Sequence, residues 1–364
     1  MSLVAAFKRL TSTAPAPESG TGAEAGDVTD APDGDGISAA GTVPHLLRLR
    51  AWWEGWTIEQ ALAEEARRRE ANGTPENDGG DKEAPPSLVE VATTPQAEEV
   101  VPGGVWSQAR IAVSEMLFGD GEIVPGGSPR TLDMVGSFGL SKDANVLNIG
   151  PGLGGAGRAI AVEYAAWVEA FEPDPALAAA SAKYNAPSKP GKAPADKVRV
   201  HHADLEALEL KPNVFDGAFS RETFFRVKAK AQLFETIFEG LKPSSPFLFT
   251  DYFLTPDAAD RPETAQWLSQ EYGEIYPWTV AEAEKILTEL GFELRVSDDI
   301  TEVHKADILS GFSNMVSECE KQGIAESIIQ AMLDTAGLWS ARVEALEAGV
   351  IEVHKFIVLR PPEG

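Results

Sequence analysis

One short run limits this chain more than any other: Val146-Leu147-Asn148-Ile149-Gly150-Pro151-Gly152-Leu153-Gly154-Gly155. An apolar strand that runs into glycines lets main chain approach a partner where any side chain would collide. A helix starting directly afterwards points its free N–H groups at the same place. Gly150, Gly152 and Gly155 satisfy the spacing G-x-G-x-x-G, a pattern found at nucleotide-binding turns. Alone, the run is equally well a tight structural turn, so its surroundings decide.

Those surroundings alternate. Strands are expected over 144–149, 167–171, 198–202, 216–220, 247–252, 293–300 and 352–359. Helices are expected over 155–164, 175–184, 229–241 and 280–290. Short apolar strands separated by helices of this length predict an α/β fold: a doubly wound, mostly parallel sheet covered on both faces. A helical insert, 303–348, separates the last two strands without an obvious parallel crossover, so those two are expected to pair antiparallel.

Charge divides the chain. Lys and Arg number 31 against 57 Asp and Glu, a formal charge of −26. That balance lacks the cationic footprint of a nucleic-acid binder and opposes docking on anionic lipid. The single cysteine, Cys319, excludes an intramolecular disulfide and Cys-rich metal sites, and five scattered histidines give no metal motif. With no apolar run long enough to span a bilayer and no signal-peptide pattern, the expectation is a cytoplasmic protein. Segments 1–43 and 72–100 are acidic and rich in Pro, Gly and Ala, and are expected to be disordered. Between them, 44–71 holds Leu46, Leu49, Trp53 and Trp56 at helical spacing, with Thr57 placed to cap a short helix and Glu64 four residues before Arg68. It reads either as a helix packing on the main domain, 101–364, or as a Trp-rich recognition element for a protein partner.

Two acids give the glycine turn a chemical meaning. Glu172 ends the second strand, 22 residues past Gly150, where a carboxylate takes ribose hydroxyls. Asp204 follows the third, placed for the exocyclic amine of adenine, and Pro173 and Leu205 adjoin the two acids. All lie at the carboxyl ends of strands, where open α/β sheets bind ligands. A nicotinamide-dependent oxidoreductase is the competing reading, but the later segments, Phe215-Asp216-Gly217-Ala218-Phe219-Ser220-Arg221-Glu222 and Leu241-Lys242-Pro243-Ser244-Ser245, offer no Tyr/Lys or His acid–base pair.

At these residues the chain resembles the class I S-adenosylmethionine-dependent methyltransferases, whose VLDIGxGxG, FDxxxS and LKPGG stand here as VLNIGPGLG, FDGAFS and LKPSS. The resemblance runs over roughly 112–360. It implies a Rossmann-like seven-stranded sheet with an antiparallel last strand, S-adenosyl-L-methionine as cofactor and a small-molecule methyl acceptor. Phe118-Gly119, Ile123-Val124-Pro125-Gly126-Gly127, GLGG, SRE, TDY and Trp278-Thr279-Val280 bring it nearest to the phosphoethanolamine and small-amine N-methyltransferases. Carried over, Ile123 and Val124 close on the cofactor, and Asn148, Gly150, Gly152, Gly154 and Ser220 belong to its loop and strands. Arg221 reaches the methionine carboxylate or orders the site, and Glu222 faces the substrate.

The departures bear on substrate. By the same alignment, that group's catalytic Tyr/His pair falls on Ser114 and Arg226. Its phosphate-binding cluster falls on 269–275, which holds Glu271 and Glu274 but no base, so the phosphoethanolamine substrate is not carried over. Transfer to a neutral nucleophile depends mainly on proximity and desolvation, and an amine is the favoured acceptor beside carboxylates. Glu222, Asp251, Tyr252 and His304 are the candidates to orient or deprotonate it, and Phe312, Met315, Ile328, Met332 and Trp339 line either an acceptor pocket or a helical core. Loss of the Tyr/His pair also permits a catalytically silent, cofactor-binding scaffold.

Overall fold

The computed structural model describes residues 56–71, 105–184, 197–322 and 326–362. The expected disordered segments 1–43 and 72–100 lie outside them, as does most of the Trp-rich stretch before Trp56. Helix α1, Ile58–Ala71, belongs to a unit of its own. It starts where Thr57 and Gln60 bond reciprocally: the Thr57 N–H donates to Gln60 Oε1 at 2.8 Å and the Gln60 N–H to Thr57 Oγ1 at 3.2 Å. That satisfies two otherwise free donors. Glu64 pairs with Arg67 at 3.1 Å.

The larger unit is built on one sheet. Its strands are β1 (Asn145–Ile149), β2 (Trp167–Glu172), β3 (Val198–His202), β4 (Gly217–Arg221), β5 (Pro246–Leu254), β6 (Glu293–Asp299) and β7 (Ile351–Leu359), in the order β3-β2-β1-β4-β5-β7-β6. The first five run parallel, and β7 runs antiparallel to both β5 and β6. The last strand is therefore inserted one place in, leaving β6 as the outer edge. Burial follows position. Seven consecutive residues of central β5, Phe247 to Phe253, are buried, whereas β6 has no buried residue.

Helices cover both faces. Two precede the sheet, α2 (Gln108–Phe118) and α3 (Gly127–Val135), followed by α4 (Gly155–Tyr164), α5 (Pro175–Ser181), α6 (Lys230–Gly240), α7 (Pro262–Gln270) and α8 (Val280–Glu289). The insert is a pair of long helices, α9 (Thr301–Gln322) and α10 (Glu326–Glu347). Local chemistry sets their starts. Asp174 caps α5 by accepting from the N–H of Ala176 and Leu177, with Pro175 in the first turn. Thr279 and Glu282 form a capping box at α8.

One core layer is aromatic: Phe224, Phe234, Phe247, Phe249, Phe356 and Trp278 pack with α6 and α8 against one side of the sheet. The other, of Val146, Ile160, Val168, Val198, Phe219 and Leu248, lies under α4. Of the insert residues with two readings, Phe312, Met315, Met332 and Trp339 are buried and none lines the cleft described below. Trp339 packs edge-on against Phe118 of α2, centroids 5.2 Å apart. They are core.

Candidate functional site

Strand β1 is hydrogen-bonded to β2 on one side and β4 on the other, so successive crossovers leave it in opposite directions. This is the switch point at which an open sheet forms a crevice. A cleft of about 490 Å³ lies there, lined by Gly150, Glu172, Pro173, Asp204 and Leu205 beyond β1 to β3 and by Arg221 and Glu222 at the end of β4. Ile123 and Val124 wall it from the segment between α2 and α3, and Val105 and Trp106 from ahead of α2. Thr223, Arg226, Tyr272 and Glu274 complete the far side.

The turn after β1 is folded against its neighbours closely enough to demand glycine. Gly150 has φ +66, and a Cβ there would lie 2.1 Å from Thr223 Oγ1; at Gly152, φ +57, it would lie 2.6 Å from Ile123 Cδ1. Glu172 braces this turn, its Oε2 accepting from the Gly152 N–H at 2.7 Å and its Oε1 from the Asp174 N–H at 2.9 Å. Burial nevertheless pushes its carboxyl up to about 8. Asp204 is exposed at the rim and caps the short 3-10 turn Leu205–Ala207 through the Glu206 N–H. Backbone without Cβ, a buried carboxylate and a rim carboxylate along one cleft fit a nucleoside carrying an amino-acid tail.

Arg221 organises the wall opposite. Its guanidinium donates to Pro125 O at 2.6 Å, Gly127 O at 3.1 Å and Thr131 Oγ1 at 3.3 Å, fixing the strap that carries Ile123 and Val124. Of its two sequence-derived roles, the structure displays the ordering one. The same strap is tied to the glycine turn by the Gly155 N–H donating to Gly121 O at 2.9 Å.

The other candidates divide between wall and interior. Glu222 lines the cleft with a side chain only 5% exposed. Its Oε1 accepts from Thr250 Oγ1 at 2.8 Å, its Oε2 has no hydrogen bond among the described residues but lies 3.9 Å from Arg221 Nε, and burial raises its pKa. Asp251 and Tyr252 are fully buried below the cleft and do not line it. Asp251 accepts from Trp278 Nε1 at 2.9 Å, and burial holds its pKa well above the carboxylate range. His304 is not on a loop: it sits in α9, 2% exposed, with Nε2 2.8 Å from the Tyr252 hydroxyl. Asn148 and Ser220 are buried within β1 and β4, Ser220 Oγ donating to Ile149 O at 2.8 Å. Gly152 and Gly154 shape the turn from beneath.

Comparison with known proteins agrees with this geometry. Residues 147–249 match the family described as methyltransferase domain. The chain is 26% identical over 249 residues to phosphoethanolamine N-methyltransferase 1 of Triticum aestivum, covering 68% of this chain and 47% of that one. It is 27% identical over 194 residues to phosphoethanolamine N-methyltransferase of Plasmodium falciparum, covering 53% and 70%. Among solved structures, phosphoethanolamine N-methyltransferase 2 of Haemonchus contortus, in complex with phosphomonomethylethanolamine and S-adenosylhomocysteine, superposes with a TM-score of 0.60 at 23% identity, over 69% of this chain and 57% of that one. The chain carries a class I S-adenosylmethionine-dependent methyltransferase domain. It spans about half the length of the wheat relative and of a maize one.

Within this methyltransferase domain, one charge expectation is corrected. Glu271 does not present free negative charge to the acceptor side. It is buried between Arg226 Nη2 at 2.6 Å and Arg342, whose Nε and Nη2 lie 2.6 and 2.8 Å from its two oxygens. Burial alone would raise its pKa, but Arg342 and Arg226 outweigh that and hold it below the usual range. Segment 269–275 lacks a base in sequence; the fold supplies two, from the turn Phe224–Arg226 and from α10. Arg226 lines the cleft, whereas Ser114 is buried in α2 and does not. Trp106, Thr223 and Tyr272 were not singled out by sequence reasoning. Tyr272 lies within 269–275, where the resemblance places the phosphate-binding cluster. Apart from the cleft, Asp299, Glu352 and His354 bring three donor atoms within 4.8 Å of one another across β6 and β7, a convergence invisible in the spacing of the histidines. No helix among the described residues is long and apolar enough to cross a membrane.

Proposed function

We propose that the chain transfers a methyl group from S-adenosyl-L-methionine to a nitrogen of a small-molecule amine. The observation that carries this reading is the pairing, in one cleft, of the Glu172-braced glycine turn with a buried, half-partnered carboxyl, Glu222. When bound, S-adenosyl-L-methionine supplies an electrophilic methyl on a sulfonium. Gly150 and Gly152 admit its amino-acid end to the main chain, Glu172 takes the ribose hydroxyls, and Asp204 takes the adenine amine. Ile123 and Val124 exclude water from the reacting centre. Glu222 receives an acceptor N–H at Oε2, the oxygen with no hydrogen bond among the described residues, and so aligns nitrogen with the methyl.

The relatives' names, all amine N-methyltransferases, support nitrogen over oxygen as the acceptor atom. The exposed rim acids Asp204, Glu206 and Glu274 favour an acceptor that becomes cationic. Calorimetry with S-adenosylhomocysteine and with NAD tests the cofactor. Radiolabelled methyl transfer to a panel of phosphoethanolamine, glycine, sarcosine, simple primary amines and hydroxyl analogues lacking the amine tests the acceptor. The reading predicts heat with S-adenosylhomocysteine alone and label in an amine product. Heat with NAD, or label only in hydroxyl acceptors, overturns it.

A further inference from the structure

Behind the cleft, Tyr252 from β5 and His304 from α9 form a buried pair beside the cleft-lining Glu222. The hydroxyl lies 2.8 Å from His304 Nε2, and the opposite ring nitrogen, Nδ1, lies 4.0 Å from Glu222 Oε1. Burial, with Arg221, Arg342 and Arg130 nearby, holds the imidazole pKa well below its usual value, so the ring is neutral and carries one N–H. Burial likewise keeps the phenol protonated. If the phenol donates to Nε2, the ring N–H resides on Nδ1 and points at the carboxylate. The opposite tautomer would turn the Nδ1 lone pair toward the Glu222 carboxylate once that group is ionised. Glu222 itself has φ +48, in the left-handed region that disfavours a residue with a Cβ, and it is held there by its N–H donating to Thr250 O at 2.8 Å. Strain of this kind concentrates where a side chain must point one way.

We propose that His304, fixed as its Nδ1–H form by Tyr252, is a positioning residue that donates to Glu222 Oε1 when Glu222 ionises, leaving Oε2 turned to the acceptor nitrogen. This deepens, and rests on, the amine-methylating reading of the cleft. At 4.0 Å the contact is longer than a hydrogen bond; it closes as negative charge appears, as catalytic hydrogen bonds do on forming the reactive complex. An acceptor that arrives as an ammonium gives one proton to Glu222 Oε2, and the N–H electron pair stays on nitrogen as a lone pair. That pair forms the bond to the methyl carbon while the carbon–sulfur pair returns to sulfur, so the positive charge passes from sulfur to nitrogen. His304 neither gains nor loses a proton. Its contribution is to stabilise ionised Glu222 among the groups that face it: Arg221 from β4 and Arg342 from α10, which favour the charge, and Asp251 from β5 and Asp307 from α9, which oppose it.

The test is a carbon-13 NMR titration of the Glu222 carboxyl in full-length protein without cofactor or acceptor, with the resonance assigned by Glu222→Gln. Replacing His304 by Leu removes the donor, and the Glu222 midpoint is expected to rise, corresponding to about a tenfold gain in proton affinity. His304→Asn keeps an N–H at the Nδ1 position and is expected to restore the midpoint; Tyr252→Phe frees the tautomer and gives a smaller rise. The acidic limb of kcat/KM for amine methylation moves to higher pH in the same order. An unmoved midpoint in His304→Leu, or in Tyr252→Phe should the leucine variant not fold, overturns the proposal. Because the titration needs no ligand, a moved midpoint without amine turnover upholds the pair and refutes only the functional reading.

Discussion

Glu172 is where fold and ligand chemistry meet in a single residue. Its two oxygens are committed to the Gly152 and Asp174 N–H groups, yet it lines the cleft, so the carboxylate that shapes the glycine turn also presents its remaining lone pairs to a ribose. Glu172→Gln keeps the volume and loses one acceptor, because an amide nitrogen cannot accept from a backbone N–H. Affinity for S-adenosylhomocysteine is expected to fall at least tenfold by calorimetry, the scale of one charge-assisted hydrogen bond. Gly152→Ala acts differently: its Cβ meets the Ile123 side chain at 2.6 Å and must move it. It is expected to weaken the same ligand while leaving a folded domain by near-ultraviolet circular dichroism. At this scale the sequence was legible wherever main chain does the work, since glycine identity records backbone geometry. It was less legible for Asp251 and Tyr252. Their place at a strand end is evident from the sequence, but whether each side chain faces the cleft or the core depends on which helix packs beneath.

Element by element, the parallel half of the sheet could be read from alternation alone. The observed β3, at Val198–His202, and α4, at Gly155–Tyr164, coincide with the expected ranges. Three helices did not announce themselves. α2 and α3 precede the sheet, where no alternation marks them, and α7 follows β5 without a strand partner. The Glu271 bridge was illegible for a related reason, since its partners lie 45 and 71 residues away and only α10 packing near the turn Phe224–Arg226 unites them. Breaking it is informative. Glu271→Gln leaves Arg342, 8% exposed, and Arg226 without their shared counter-charge. Urea denaturation is expected to show a loss of about 3 kcal/mol, in the range for removing one partner of a buried ion pair. A loss below about 1 kcal/mol would mean that water already screens the cluster.

Across the whole molecule, net charge and local charge pull in different directions. Of the formal −26, nearly half resides in 11–43 and 72–100, yet 101–364 itself carries −16 and is almost as acidic per residue as the chain; against that background a few buried carboxyls set how its stability responds to pH. Glu122 and Glu172 lead them, pushed from the ordinary 4.5 to about 7 and about 8, in both cases chiefly by burial. Between 4.5 and those values the folded chain binds protons that the unfolded chain has released. Their stabilising contribution is therefore full below about 4.5 and lost as pH rises through 7 and 8. Glu271, held low by its arginines, works in the opposite sense, but only at and below the ordinary carboxylate range. Buried His304, held neutral in the fold, makes stability rise with pH up to its ordinary 6.5, so the urea midpoint is expected to fall only as pH is raised from about 7 to about 8.5. The slope should flatten in Glu122→Gln, which removes a titrating group away from the ribose carboxylate. Saturating S-adenosylhomocysteine raises the midpoint at every pH by mass action, and more at high pH if it binds ionised Glu172. A urea midpoint that stays flat over this interval would show that both carboxyls are ionised in the folded protein, and that the turn after β1 is braced by a charge rather than by a neutral acid.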